Sequence, residues 1–218
     1  MDLKVLFQEF CRSIVRNRHL ELAERHGDWT GAVKATLARV GKRHGHATFL
    51  NDDRRKSGSY LWDVAWCVED RVRQSSPPRG AGIEGLRFPA RPYRRLVAAA
   101  QVEWGRPGQR PETQVFRQNL EEVFRDFYKL LDAKCELKVM VYSSWRYPRQ
   151  GGGTGLFVRG FEQLLADYAN HQAGEKYLFI EFHDTVRTIH GYQCAVPRRG
   201  PRQLVLRSVG HHGYPGTW

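Results

Sequence analysis

Between Val115 and Lys134 the apolar side chains Phe116, Leu120, Val123, Phe127 and Leu130 recur in steps of four and three. That period draws one apolar stripe along a helix. A short apolar run, "LKVMVYSS", follows at once. The pattern then repeats, with helical spacing in "GLFVRGFEQLLADYANH" and a strand in "KYLFIEF". Strands alternating with helices call for a sheet that carries helices on its faces.

The first half of the chain adds two helices and more strands. Leu3, Leu6, Phe7, Phe10, Ile14 and Val15 predict an amphipathic opening helix. Asp28 or Thr30 caps a second, with Val33, Leu37 and Val40 facing inward, and the sequence Gly41 to His46 breaks it. "ATFL" reads as a short strand and NDDRRKSGS as a polar turn. In "YLWDVAWCVE" the residues Tyr60, Trp62, Val64, Trp66 and Val68 form one bulky face of a strand, opposite Leu61, Asp63, Ala65, Cys67 and Glu69. Residues 70–93, rich in Arg, Gly and Pro, form a long loop, and a further strand runs from about Arg95 to Trp104. Two shorter strands fill 188–209, with a loose tail after Gly210. The expected class is α/β (or α+β), a mixed central sheet flanked by helices. Residues 1–46 supply helices packed on a core of residues 47–210, and 211–218 are a tail, all in one domain.

With 35 Lys and Arg against 23 Asp and Glu, the net charge is +12, which predicts polyanionic partners. DNA comes first and RNA second, because neutralising phosphates releases counterions. A membrane surface is not expected: there is no lipidation signal, and no apolar run approaches the roughly 18 residues of a span. Cys11, Cys67, Cys135 and Cys194 are far apart, with no C-x-x-C pair. They read as free thiols in a reducing compartment, and the chain as cytoplasmic.

Three polar residues stand where strands should be apolar. Asp63 lies within one strand; Gln101 and Glu103 share a face of the next, after the small Ala99, with Val102 and Trp104 on the other side. A carboxylate there is costly unless it is paired, hydrogen-bonded or bound to a metal. If the strands are neighbours, the three side chains converge. Two carboxylates and an amide oxygen are hard ligands suited to Mg²⁺ or Mn²⁺. The plainer reading is pairing with Arg side chains at a sheet edge. Asp126 and Lys129, three apart beside the stripe of the strong helix, are neighbours.

Asp63 in a strand, then "QVEWG", then the helical "DFYKLL" and the strand "LKVMVY", together resemble the restriction-endonuclease-like, or PD-(D/E)xK, nuclease superfamily. More narrowly they are similar to bacterial members with E-S-E-W-G on the second strand and D-F-x-K-L on the next helix. The likeness spans about residues 58–182. It implies the fold of that superfamily, with Asp63 as first acid of a Mg²⁺ site, and Glu103 as second acid or occupant of the lysine position. Gln101 stands where the narrower family has Glu, and Gly105 where a Lys would follow, so Lys129 on the following helix is the candidate lysine. The implied activity is a Mg²⁺-dependent DNA endonuclease, with water attacking phosphorus directly, in restriction, defence or repair. Cutting both strands calls for two active sites and so a homodimer. The alternative is a nuclease fold that has lost cleavage and binds nucleic acid or acts as an interaction subunit.

Basic clusters would meet phosphates: Arg54, Arg55 and Lys56; Arg94 and Arg95 after Arg91; Arg198, Arg199 and Arg202; and Arg146 between Trp145 and Tyr147, which with Tyr93 are placed to stack on bases. "QGGGTG" (150–155) lacks the G-K-[ST] ending of a nucleotide loop, and the His44/His46 pair has no partners at metal spacing.

Overall fold

A computed structural model describes residues 1–16, 26–51, 62–69, 93–104, 114–144, 153–183, 187–198 and 204–214. The elements run α1 (Leu3–Val15), α2 (His26–Arg43), β1 (Ala47–Leu50), β2 (Val64–Glu69), β3 (Tyr93–Glu103), α3 (Gln114–Leu131), β4 (Leu137–Ser143), α4 (Gly153–Asp167), β5 (Lys176–His183), β6 (Thr188–Ala195) and β7 (Arg207–Gly213). The strands lie in one sheet in chain order. β1, β2 and β3 are antiparallel, β3, β4 and β5 parallel, and β5, β6 and β7 antiparallel again. The parallel pairs are those whose connections hold α3 and α4, as parallel pairing requires a crossover. The expected mixed sheet with flanking helices is what forms.

Two apolar clusters fill the two faces. One holds Leu6, Phe7, Phe10 and Ile14 of α1 with Val33, Leu37 and Val40 of α2, against Val64, Trp66, Val102, Val139 and Ile180. The other holds Val123, Phe127 and Leu130 of α3 with Phe157, Phe161 and Leu165 of α4, against Ala99, Met140, Tyr142 and Phe179. The strand period of two explains the split: Ala98, Ala100, Val102 and Trp104 join the α1/α2 cluster, and Ala99 the other. Gln101 and Glu103 therefore lie on the α3/α4 face.

Local signals account for the ends. Asp2 caps α1, its Oδ1 accepting from the N–H groups of Lys4 (2.8 Å) and Val5 (3.2 Å). α2 ends at Arg43, within the expected break from Gly41 to His46. A Cβ at Gly41 would come within 2.6 Å of the Trp66 indole, so glycine lets the helix lie against β2. The turn comes at Gly45, whose φ is +78°. β7 extends to Gly213, beyond the expected tail boundary at Gly210.

At the starting ends of β4 and β5 a polar group is sealed in. Lys138 is 1% exposed; its ammonium donates to Leu131 O at the end of α3 (2.9 Å) and to Tyr177 Oη (3.1 Å), and pairs with Glu175 Oε2 at 3.1 Å. Tyr177 Oη donates to the same carboxylate oxygen at 2.9 Å, and His171 Nε2 lies 2.7 Å from Leu165 O. Burial lowers the Lys138 pKa, against the pull of Glu175. The network ties the ends of α3 and α4 to the sheet.

Candidate functional site

β2 begins one residue after Asp63, not before it. Trp62 and Asp63 form a bend, and the β2–β3 register stops with Val64 opposite Ala100. Two residues further along β3, the N–H of Val102 goes to Asp63 Oδ2 at 2.8 Å, so a side-chain carboxylate takes a bond that a longer strand would supply. Asp63 O accepts from Asn51 N at 2.8 Å. Asp63 Oδ1 is 2.7 Å from the ammonium of Lys34 on α2, with side-chain exposures of 14% and 10%. The carboxylate is thus fixed at the sheet end from two directions.

The bend also reverses the expected face of Trp62. Its indole N–H donates to Lys129 O at 3.3 Å, and it packs on the α3/α4 cluster, while Val64 and Trp66 keep to the other side as expected. Lys129 therefore runs close to this end of the sheet through its backbone. Its ammonium, however, pairs with Asp126 on its own helix, and the lysine that reaches Asp63 is Lys34.

Gln101 is buried (3% exposed) and Glu103 partly so, both beside the carboxyl ends of parallel strands. In open sheets that contain parallel strands, ligands gather at such ends. Across the sheet Glu103 pairs with Tyr142, Tyr142 with Glu181, Glu181 with His190, and His190 with His211. One row on the α3/α4 face therefore holds Glu103, Tyr142, Glu181, His190 and His211. Glu103 and Glu181 are two strand spacings, about 10 Å, apart along it. Glu181 is fully buried and accepts from Tyr192 Oη at 3.4 Å. His190 lies 2.7 Å from Thr188 Oγ1, and burial lowers its pKa despite Glu181 beside it.

Other candidates lie elsewhere. Arg95 pairs with Glu136 at 2.8 Å in an exposed bridge, eight residues or about 26 Å of strand from Glu103. Arg54, Arg55, Lys56, Arg146 and the side chain of Arg94 fall outside the described residues, as do Trp145, Tyr147 and most of 70–93. His44 pairs with Glu9 at 3.0 Å, and His46 stacks on Trp66 at 6.0 Å between centroids, its pKa lowered first by burial. All four cysteines are free and buried; burial pushes Cys11 up to about 12 and Cys135 and Cys194 to about 11.

Sequence reasoning missed Lys34 and Glu181. Lys34 stands three before Leu37 and four before Ala38, both buried, so it interrupts the inward side of a helix. Glu181 is a lone acid in the apolar "KYLFIEF", the same signal that marked Asp63 and Glu103.

Chemically, Asp63 holds its carboxylate against the Lys34 ammonium at the end of β2, while Gln101 and Glu103 stand on the α3/α4 face of the neighbouring β3. A carboxylate offers about four acceptor positions; Val102 N–H and Lys34 take two on Asp63, so a cation still finds oxygen lone pairs there. Among the described residues no group of three or more His, Cys, Asp or Glu side chains could hold a metal ion. A metal here would depend on Asp63, Glu103, the Gln101 amide oxygen and water or substrate oxygens. No described helix is long and apolar enough to cross a membrane. Comparison with protein-family models, curated proteins and solved structures finds no match to this chain.

Proposed function

We propose that the protein is a Mg²⁺- or Mn²⁺-dependent phosphodiesterase of the restriction-endonuclease-like superfamily, cutting DNA in the cytoplasm. The observation that carries this reading is the placement of Asp63: its carboxylate is held on Val102 N–H, beside the strand end that bears Glu103 and, on the same face, Gln101. The superfamily puts its acids on neighbouring strands of a mixed sheet; here Asp63 stands one residue before β2 and Glu103 closes β3. The donor set suits a small hard cation that keeps several waters. Bound there, the metal would supply a polarised phosphodiester and a water of lowered pKa.

In this reading Asp63 and Glu103 hold the ion, and Gln101 adds a neutral oxygen where the narrower family has an acid. Lys34 takes the part expected of Lys129, setting a positive charge beside Asp63 to meet the negative charge that develops on phosphate oxygens. DNA as substrate agrees with the net charge of +12. Free buried cysteines agree with a reducing compartment. Cleavage of both strands would bring two copies together.

A second reading has its own support. Lys34 already neutralises Asp63, and Gln101 brings no charge, as in a nuclease fold that has stopped cutting and only binds. Incubation with plasmid and single-stranded DNA in Mg²⁺, Mn²⁺ or EDTA, beside Asp63→Ala, separates the two. Metal-dependent cleavage that Asp63→Ala abolishes supports the enzyme; intact DNA with retained binding leaves the binder.

A further inference from the structure

α1 and α2 pack side by side, and a cleft of about 310 Å³ opens between them on the outer side of the helical layer. Glu9, Arg12, Ser13, Arg16, Arg39 and Arg43 line it. Arg12 lies in the last turn of α1 and Arg16, four residues on, is its C-cap, while Arg39 and Arg43 are one turn apart on α2, so each helix brings a pair of guanidinium groups to the same groove. Like charges at that spacing oppose helix formation, and among the described residues lining the cleft a single carboxylate, Glu9, lies with the four. That carboxylate is engaged at one end, with Arg43 Nη1 at 3.3 Å and His44 Nε2 at 3.0 Å.

We propose that this cleft is a binding groove for the phosphates of a nucleic-acid backbone. All four cations are arginines, whose planar forks match phosphate oxygens two at a time and are weakly hydrated. The described bonds use one nitrogen each of Arg12 (to Gln8 O, 3.4 Å), Arg39 (to Thr36 Oγ1, 3.1 Å) and Arg43 (also to Ser13 Oγ, 3.1 Å). Those bonds orient the forks, and five N–H donors per guanidinium leave others to meet a ligand. A narrow groove admits a chain of phosphates better than it meets the plane of an anionic membrane. Arg12, Arg39 and Arg43 lie within helices and Arg16 caps the end of α1, so the charges are set by helical elements. α2 joins the groove to the candidate site: Lys34, beside Asp63, is nine residues from Arg43, about 14 Å along the axis. The groove shares with the cleavage reading only its nucleic-acid partner, and binding measured in EDTA tests it apart from catalysis.

The test compares the full chain with Arg12→Gln/Arg16→Gln/Arg39→Gln and with a control of equal charge loss outside the cleft, Arg125→Gln/Arg159→Gln/Arg207→Gln. Arg43 is left in place because it holds Glu9 and Ser13. Affinity for fluorescent single- and double-stranded DNA of about 20 nucleotides is read in EDTA, across salt from about 50 to 200 mM. The cleft variant is expected to bind at least about tenfold more weakly at low salt, with its log–log salt slope shallower by about two to three. The control should lose much less. Inorganic phosphate, an acidic peptide and anionic vesicles are titrated alongside. Equal losses in both variants, or full DNA affinity in the cleft variant, overturns the proposal. So does a cleft-dependent response to the peptide, the vesicles or free phosphate with none to DNA. If Asp63→Ala stops cleavage but binds DNA as before, the two readings stand or fall separately.

Discussion

Glu175→Gln removes one charge from the most enclosed ion pair among the described residues and leaves its shape unchanged. Lys138 and Glu175 have side-chain exposures of 0% and 3%, with 3.1 Å between Nζ and Oε2. The substituted amide would still offer an oxygen to the Tyr177 hydroxyl, which lies 2.9 Å from the native carboxylate, so most of the loss is the unpaired ammonium. Breaking such a pair from one side costs about 3–5 kcal/mol, and the retained hydrogen bonds put this case near about 3 kcal/mol. Against a total stability of about 5–15 kcal/mol the loss is large. Urea unfolding followed by tryptophan fluorescence should show the midpoint falling while the slope stays constant. The pH dependence has a definite sign. Burial already lowers the Lys138 pKa, and losing Glu175 lowers it further. Between that value and the ordinary lysine value near about 10.4 the unfolded chain binds more protons, so the variant's stability rises with pH across this window. The double variant Lys138→Met/Glu175→Leu should regain most of the loss, because no buried charge remains. A loss under about 1 kcal/mol, or a deficit that deepens with rising pH, would refute the reasoning.

Other changes bear on the site and its supports. Lys34→Met frees Asp63 Oδ1, so Mn²⁺ binding should tighten while cleavage falls about 100-fold; an unchanged cleavage rate removes Lys34 from the mechanism. Gln101→Glu adds an acid to the donor set and should raise metal affinity by about tenfold, with calorimetry as the readout and unchanged affinity as the contrary result. Gly191→Ala would push a Cβ to 2.6 Å from Val209 Cγ2 and 2.7 Å from Phe7 Cδ2. It should cost about 1–3 kcal/mol and speed hydrogen exchange across α1; exchange at the wild-type rate would show that the contact is yielding.

Much of the fold was legible because each periodic run is long enough to show its period. The stripe Phe116 to Leu130 names a helix, and "KYLFIEF" a buried strand, without help from the rest of the chain. Faces also read correctly wherever a strand is regular: Gln101 and Glu103 lie opposite Val102 and Trp104. The errors come where tertiary contact overrides the local pattern. The break between Gly41 and His46 was legible, but not that Gly41 is glycine in order to admit Trp66. Trp62 reads as a continuation of β2's bulky face, but a bend sends it to Lys129 O on α3. Lys34 escaped notice because sequence spacing does not record what lies across from a helix, and its meaning depends on Asp63 29 positions later. Glu181 carried the same signal as the chosen acids and needed only the same question.

In the proposed function Asp63 and Glu103 would hold a divalent ion, and Mn²⁺ binding measured by electron paramagnetic resonance tests that most directly. Wild-type protein, Asp63→Asn and Glu103→Gln would be titrated after circular dichroism has confirmed that all three fold alike. One tightly held ion per wild-type chain, lost in both variants, is the predicted result. Failure of the wild type to hold an ion, or equal binding by all three, would contradict it.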